Sequence, residues 1–193
     1  MSEWVLSEYV DVRQFALKQI TRNYRKNKEL LEGLYDLMLD EDISLRTQSL
    51  EVIWLSGMED RYEIFESSLM DDEKAVRELA ARLLLNSDSA KSKQVIEAYK
   101  NELKSLPSDD PKKHNSVVAF YEVYGDKSGN FLFEMKIALY SGDKELQKAV
   151  VDVILKHQGD KQAVGIFNRY LSETTDQELN EYFFQRLSEE NVK

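Results

Sequence analysis

Apolar residues recur along this chain at spacings of three and four, and one arrangement of them returns about every 33 residues. Three segments align without gaps: DVRQFALKQI from Asp11, SLRTQSLEVI from Ser44 and AVRELAARLL from Ala75. Each has an aliphatic residue followed by arginine: Val12-Arg13, Leu45-Arg46 and Val76-Arg77. A small residue stands four positions after the aliphatic one (Ala16, Ser49, Ala80), and an aliphatic residue stands at plus eight (Ile20, Ile53, Leu84). The repeats are 33 and 31 residues apart. A fixed period of this size marks a repeat architecture, and the spacing within each segment predicts an amphipathic helix.

The frame continues more weakly at Leu146, with Val150 and Ile154, and at Leu179, with Phe183 and Leu187. The 70 residues from Val76 to Leu146 leave room for one more copy near Lys113, followed by Val117 and Tyr121. Three residues before the frame position stand Asp42, Glu73, Asp110, Asp143 and Asp176. An acidic side chain there can accept hydrogen bonds from the free N–H groups of the first turn and complements the helix dipole. Each capped helix follows another apolar-periodic segment: KELLEGLYDLML from Lys28, DRYEIFESSLM from Asp60, SKQVIEAYKNEL from Ser92, NFLFEMKIALY from Asn130 and KQAVGIFNRYL from Lys161. The expected unit is therefore helix A, a short acidic turn and helix B. Five such units follow a partial one whose first helix is Met1 to Tyr9, and together they make one domain over residues 1–193. The proline-bearing loop 106–111 is a candidate joint between two halves.

This pattern, an acidic cap, then aliphatic-Arg, a small residue and an aliphatic one, resembles HEAT repeats, including the short bacterial HEAT-like kind, over nearly the whole chain. The resemblance implies an all-α, right-handed α-α superhelix of about five to six helix pairs. It also implies that the repeated arginines form a ladder, each pairing with the acidic cap of an adjacent unit, rather than an anion-binding row. In such stacks the B helices line the concave side. Frame positions two, six and nine share one helix face, and they give Gln14, Lys18 and Thr21; Thr47, Glu51 and Trp54; Glu78, Arg82 and Leu85; Lys148, Asp152 and Leu155. From Thr47 onward these are the candidate partner-binding residues. Trp54 is either an interface anchor or part of the core.

Composition agrees with helices joined by short turns: seven Gly, two Pro and no Cys in 193 residues. Without cysteine there is no disulfide or thiolate metal site. No basic and apolar leader opens the sequence and no apolar run approaches the ~20 residues of a membrane span, so a cytoplasmic protein without membrane contact is expected. The net charge of −10 disfavours nucleic acid and points to a protein partner that is itself basic. Charge is uneven, however. Val12 to Lys28 holds Arg13, Lys18, Arg22, Arg25, Lys26 and Lys28 with no acidic residue, so of the total −10 the rest of the chain carries −16.

No catalytic, cofactor or metal constellation emerges. His114 and His157 do not form a zinc spacing, and no Walker loop, GxSxG or GxGxxG is present. Gly125 and Gly129 flank Asp126-Lys127-Ser128, which reads as a turn, and carboxylate pairs such as Asp71-Asp72 sit at helix starts, where capping explains them. The reading favoured is a non-catalytic interaction module: a scaffold, adaptor or inhibitor. Fold-level analogy offers two alternatives, a DNA-repair protein like the HEAT-like alkylpurine DNA glycosylases and an auxiliary factor of a tetrapyrrole-protein lyase. The pattern specifies no oligomeric state.

Overall fold

The structure is a computed structural model; it describes residues 2–87, 89–107, 110–125, 132–157, 159 and 161–190. Among them it is all helical. Twelve α-helices run in order: α1 (Ser2–Val5), α2 (Val10–Asn23), α3 (Gly33–Met38), α4 (Ile43–Ser56), α5 (Arg61–Ser68), α6 (Lys74–Asn86), α7 (Ala90–Ser105), α8 (Pro111–Tyr124), α9 (Leu132–Leu139), α10 (Lys144–Lys156), α11 (Lys161–Glu173) and α12 (Gln177–Glu190). Every expected helix B is present. The first full helix A opens as a 3₁₀ segment, Lys28–Glu32, and becomes α3 only at Gly33. Asn27 starts it by accepting a hydrogen bond from the Glu29 N–H at 3.1 Å. The expected turn at Asp126-Lys127-Ser128 and residues 108–109 of the proline loop lie outside the described residues.

The acidic caps are real where the residue is aspartate. Asp42 accepts from the N–H groups of Ser44 and Leu45 at 2.8 and 3.1 Å, and Asp143 from those of Glu145 and Leu146 at 3.0 and 3.1 Å. Asp110 accepts from Lys112 at 2.8 Å and Asp176 from Leu179 at 3.1 Å. Glu73 occupies the cap position of α6 but makes no side-chain cap bond. Its extra methylene carries the carboxylate past the first-turn N–H groups that the shorter aspartate reaches.

The chain divides into two compact units, Met1–Ala98 and Tyr99–Lys193, and the division falls inside α7, ahead of the proline loop. In the first unit α2 packs on α4 and α4 on α6, while α1 and α3 back α2, and α3 and α5 back α4. The frame residues close this core: Ala16, Ser49 and Ala80 are fully buried, as are Ile20, Ile53 and Leu84. Small side chains at plus four let neighbouring helices approach closely. In the second unit α8 packs on α10 and α10 on α12, with α9 against both α8 and α10 and α11 against α9 and α10. Tyr99, Val117, Phe120, Tyr121, Val150 and Phe167 fill that core.

Candidate interaction face

The repeated arginines are consumed internally. Arg13 and Asp40 are both nearly buried, with side chains 8% and 5% exposed. Arg13 grips the carboxylate with two bonds, Nε to Oδ2 at 2.6 Å and Nη2 to Oδ1 at 3.0 Å, and donates from Nη1 to the carbonyls of Ser7 and Glu8. Hydrogen bonding to Asp40 raises the pKa of the guanidinium above its already high ordinary value. Arg46 reaches Asp71 at 3.3 Å and the Asp40 carbonyl at 3.0 Å. Arg77 donates to the carbonyls of Asp71 and Asp72 at 2.6 and 2.8 Å. The pairing partners differ from expectation: they are Asp40 and Asp71, each two residues before the cap. Each of these aspartates also accepts the N–H of the cap residue, Asp42 or Glu73, at 2.8 Å. One carboxylate thus sets the turn and anchors the arginine of the preceding helix B. At the arginine position of α10 stands Gln147, whose Nε2 donates to the Leu139 carbonyl at 2.6 Å.

The two histidines also have structural surroundings. His114 is buried in α8. His157 stands edge-on to Tyr121, with ring centroids 5.5 Å apart, and its Nε2 lies 3.0 Å from the Glu122 carbonyl oxygen.

The expected partner-binding residues fall into three sets. Glu51 and Arg82 are exposed on α4 and α6. Thr47, Trp54, Glu78 and Leu85 are half-buried at the border of that face. Thr47 turns its hydroxyl to the Ile43 carbonyl at 3.0 Å, and Glu78 pairs with Lys74 at 3.4 Å. Trp54 packs edge-on against Phe65 and Tyr62, at centroid distances of 5.2 and 6.3 Å, under the guanidinium of Arg61 at 5.1 Å. The last three residues belong to the second unit and are engaged there. Lys148 pairs with Glu178 at 3.1 Å. Asp152 accepts from Arg186 Nε at 2.8 Å and Tyr182 Oη at 3.0 Å. Leu155, expected on an open face, is buried at 3% exposure. The correction has a simple cause: α10 is apolar around most of its circumference, and α12 covers the side that Lys148 and Asp152 present.

The open face of the first unit instead follows frame positions three, six and ten. It reads Phe15, Lys18 and Arg22 on α2, then Gln48, Glu51 and Leu55 on α4; on α6 it reads Leu79, Arg82 and Asn86. All are exposed except the half-buried Leu79. Two large apolar side chains stand out on it, Leu55 at 73% exposure and Phe15 at 49%. Phe15 meets Trp4, itself 45% exposed, with ring centroids 5.6 Å apart. The sequence signal for this face was the buried set at plus four, five and eight, whose opposite side is centred on plus six.

Compared with known proteins, the chain matches no family model, no curated protein and no solved structure. No helix among the described residues is long and apolar enough to cross a membrane.

Proposed function

We propose that this chain is a non-catalytic protein-interaction module built of HEAT-like helix pairs, and that it takes its partner on the open face of α2, α4 and α6. The observation that carries this reading is Leu55. It projects into solvent one turn beyond Glu51 while every other large aliphatic residue of α4 beyond its first residue, Ile43, is buried. An exposed leucine flanked by polar side chains, on the same open face as Phe15 of the neighbouring helix, has the make-up of an interface anchor within a polar rim. The repeated cap and arginine motifs support the HEAT-like assignment.

The test is affinity capture from host lysate with wild-type protein and a Glu51→Lys, Leu55→Ser variant side by side. A protein retained by the wild type and lost by the folded variant is the expected result. Equal retention by both would move the interaction off this face.

A further inference from the structure

We propose that the partner of this face is an acidic protein segment carrying apolar side chains, an assignment that rests on the interaction-module reading. The chain is acidic overall, but its open face is not. Lys18 and Arg22 on α2 and Arg82 on α6 are exposed, and among the described residues none of the three makes a side-chain ion pair or hydrogen bond. Lys26 and Lys28, just beyond the end of α2, are likewise exposed and unpaired. Arg25, just before them, engages only its neighbour, the Tyr24 hydroxyl and ring. Several cations elsewhere are held by carboxylates, Arg13 by Asp40, Lys144 by Asp176, Lys156 by Glu122 and Arg186 by Asp152. Lys104, Lys112 and Lys161 of the second unit are exposed without an ion pair among the described residues, but on three separate helices. The face itself offers Glu51 as its central acid, with Glu78 at its border paired to Lys74, Asp11 at one end of the α2 stripe and Glu29 in the 3₁₀ segment that Lys28 opens.

Free cations that could have found carboxylates on so acidic a chain complement an anionic ligand. The apolar residues and Glu51 together bear on which anion. Leu55 and the half-buried Leu79 and Leu85 offer aliphatic surface, which takes up leucine or phenylalanine side chains; the exposed rings, Phe15 and Trp4, lie at the α2 edge only, tilted against each other at 59°. Glu51 sits in the middle of the face, where a continuous phosphate backbone would meet repulsion but a peptide can place an amide or a lysine. Three helices packed at ~10 Å span about 20 Å. An extended segment of about six residues covers that distance.

The experiment uses three fluorescein-labelled probes with the full chain, at low and at physiological salt. They are a peptide of repeating Glu-Leu-Asp-Phe, its counterpart of repeating Lys-Leu-Lys-Phe, and a single-stranded oligothymidylate. Binding of the acidic peptide is expected, weakened roughly tenfold by Lys18→Glu with Arg22→Glu and relieved by salt. Leu55→Ser should weaken it at both salt concentrations. All three substitutions are on exposed positions, and unchanged thermal unfolding verifies the fold. Preference for the lysine peptide, or binding of the oligonucleotide that the same charge reversals abolish, overturns the assignment. So does binding of neither peptide, or acidic-peptide binding that the reversals leave untouched. If the lysate capture still depends on Leu55 in those cases, the interaction module stands and only the acidic partner falls.

Discussion

Arg13 and Asp40 lie 27 residues apart in sequence, yet the guanidinium holds both carboxylate oxygens in a nearly buried, two-pronged contact. The pair joins the start of α2 to the turn before α4, and Asp40 at the same time accepts the Asp42 N–H that begins the next cap. Removing one partner strands the other charge without water. Asp40→Ala is therefore expected to cost about 3 kcal/mol. Arg13→Lys should recover little of the loss caused by Arg13→Ala, because an ammonium cannot span two oxygens and two carbonyls together. Urea unfolding of the three variants checks this; full rescue by lysine would reduce the contact to simple charge attraction.

The fully buried plus-four positions give a second expectation. Ser49 is sealed between helices, and its hydroxyl has no hydrogen-bond partner. Ser49→Ala should be neutral or stabilising by about 1 kcal/mol, since it removes an unsatisfied polar group and improves helix propensity. Ala80→Arg at the equivalent site in α6 should unfold the first unit, through overpacking and a buried charge. The denaturation midpoint should hold or rise for Ser49→Ala and fall for Ala80→Arg.

These two sites also mark how far the sequence could be read. Helix B positions, the buried plus-four and plus-eight residues and four aspartate caps followed from spacing alone, because a 3.6-residue period and a capping geometry are local. The arginine partner did not. Asp40 and Asp71 were passed over for the acids in register at Asp42 and Glu73, since a contact between successive turns depends on how the helices pack. The face shows the same limit. Lys18, Glu51 and Arg82 are exposed as their spacing predicts, whereas Phe15 and Leu55 lie one position away from the expected outward side. On α10 the period was right and the exposure wrong: Leu155 is core because α10 is apolar around most of its circumference, and α12 occupies the side of Lys148 and Asp152.

Asp176 makes stability depend on pH. Lys144 Nζ donates to it at 2.5 Å, Tyr170 Oη at 3.0 Å and the Leu179 N–H at 3.1 Å, and the lysine bond is the largest influence holding its pKa below the ordinary value. Unfolded, the group titrates near its reference pKa of about 3.9. Because the folded pKa is the lower one, the contribution is complete above that value and is lost as pH falls through the folded pKa. Asp176→Asn keeps the capping oxygen but loses the ion pair, so its stability should fall less steeply than wild type between about pH 5 and pH 2. Parallel curves from urea titrations at several pH values would remove this role from Asp176.

Among the described residues three glycines adopt positive φ: Gly57 at 70°, Gly125 at 59° and Gly142 at 79°. Each should resist alanine by about 1 kcal/mol on backbone grounds. Gly125 should cost distinctly more. A Cβ there would lie 2.8 Å from His157 Nδ1, whereas at Gly142 it would meet nothing within 4 Å. Gly125→Ala must displace the imidazole from Tyr121 and from the Glu122 carbonyl. Thermal unfolding should rank it below Gly142→Ala, and the additional Gly125→Ala loss should shrink in a His157→Ala background.

Trp54 and Leu55 are adjacent, and the orientation of α4 gives them opposite expectations. Trp54 turns inward to Phe65, Tyr62 and Arg61. Truncating it to alanine removes ring contacts and a cation–π interaction from a half-buried site, so a loss of about 2 to 3 kcal/mol is expected. Leu55 is 73% exposed, and Leu55→Ser should change stability by no more than about 0.5 kcal/mol, the helix-propensity difference. For partner capture the order inverts: Leu55→Ser should abolish it in a protein that unfolds like wild type. If Leu55→Ser proved the more destabilising of the two, α4 would present a different side to solvent. The face built on Glu51, Leu55 and Arg82 would then lose its basis.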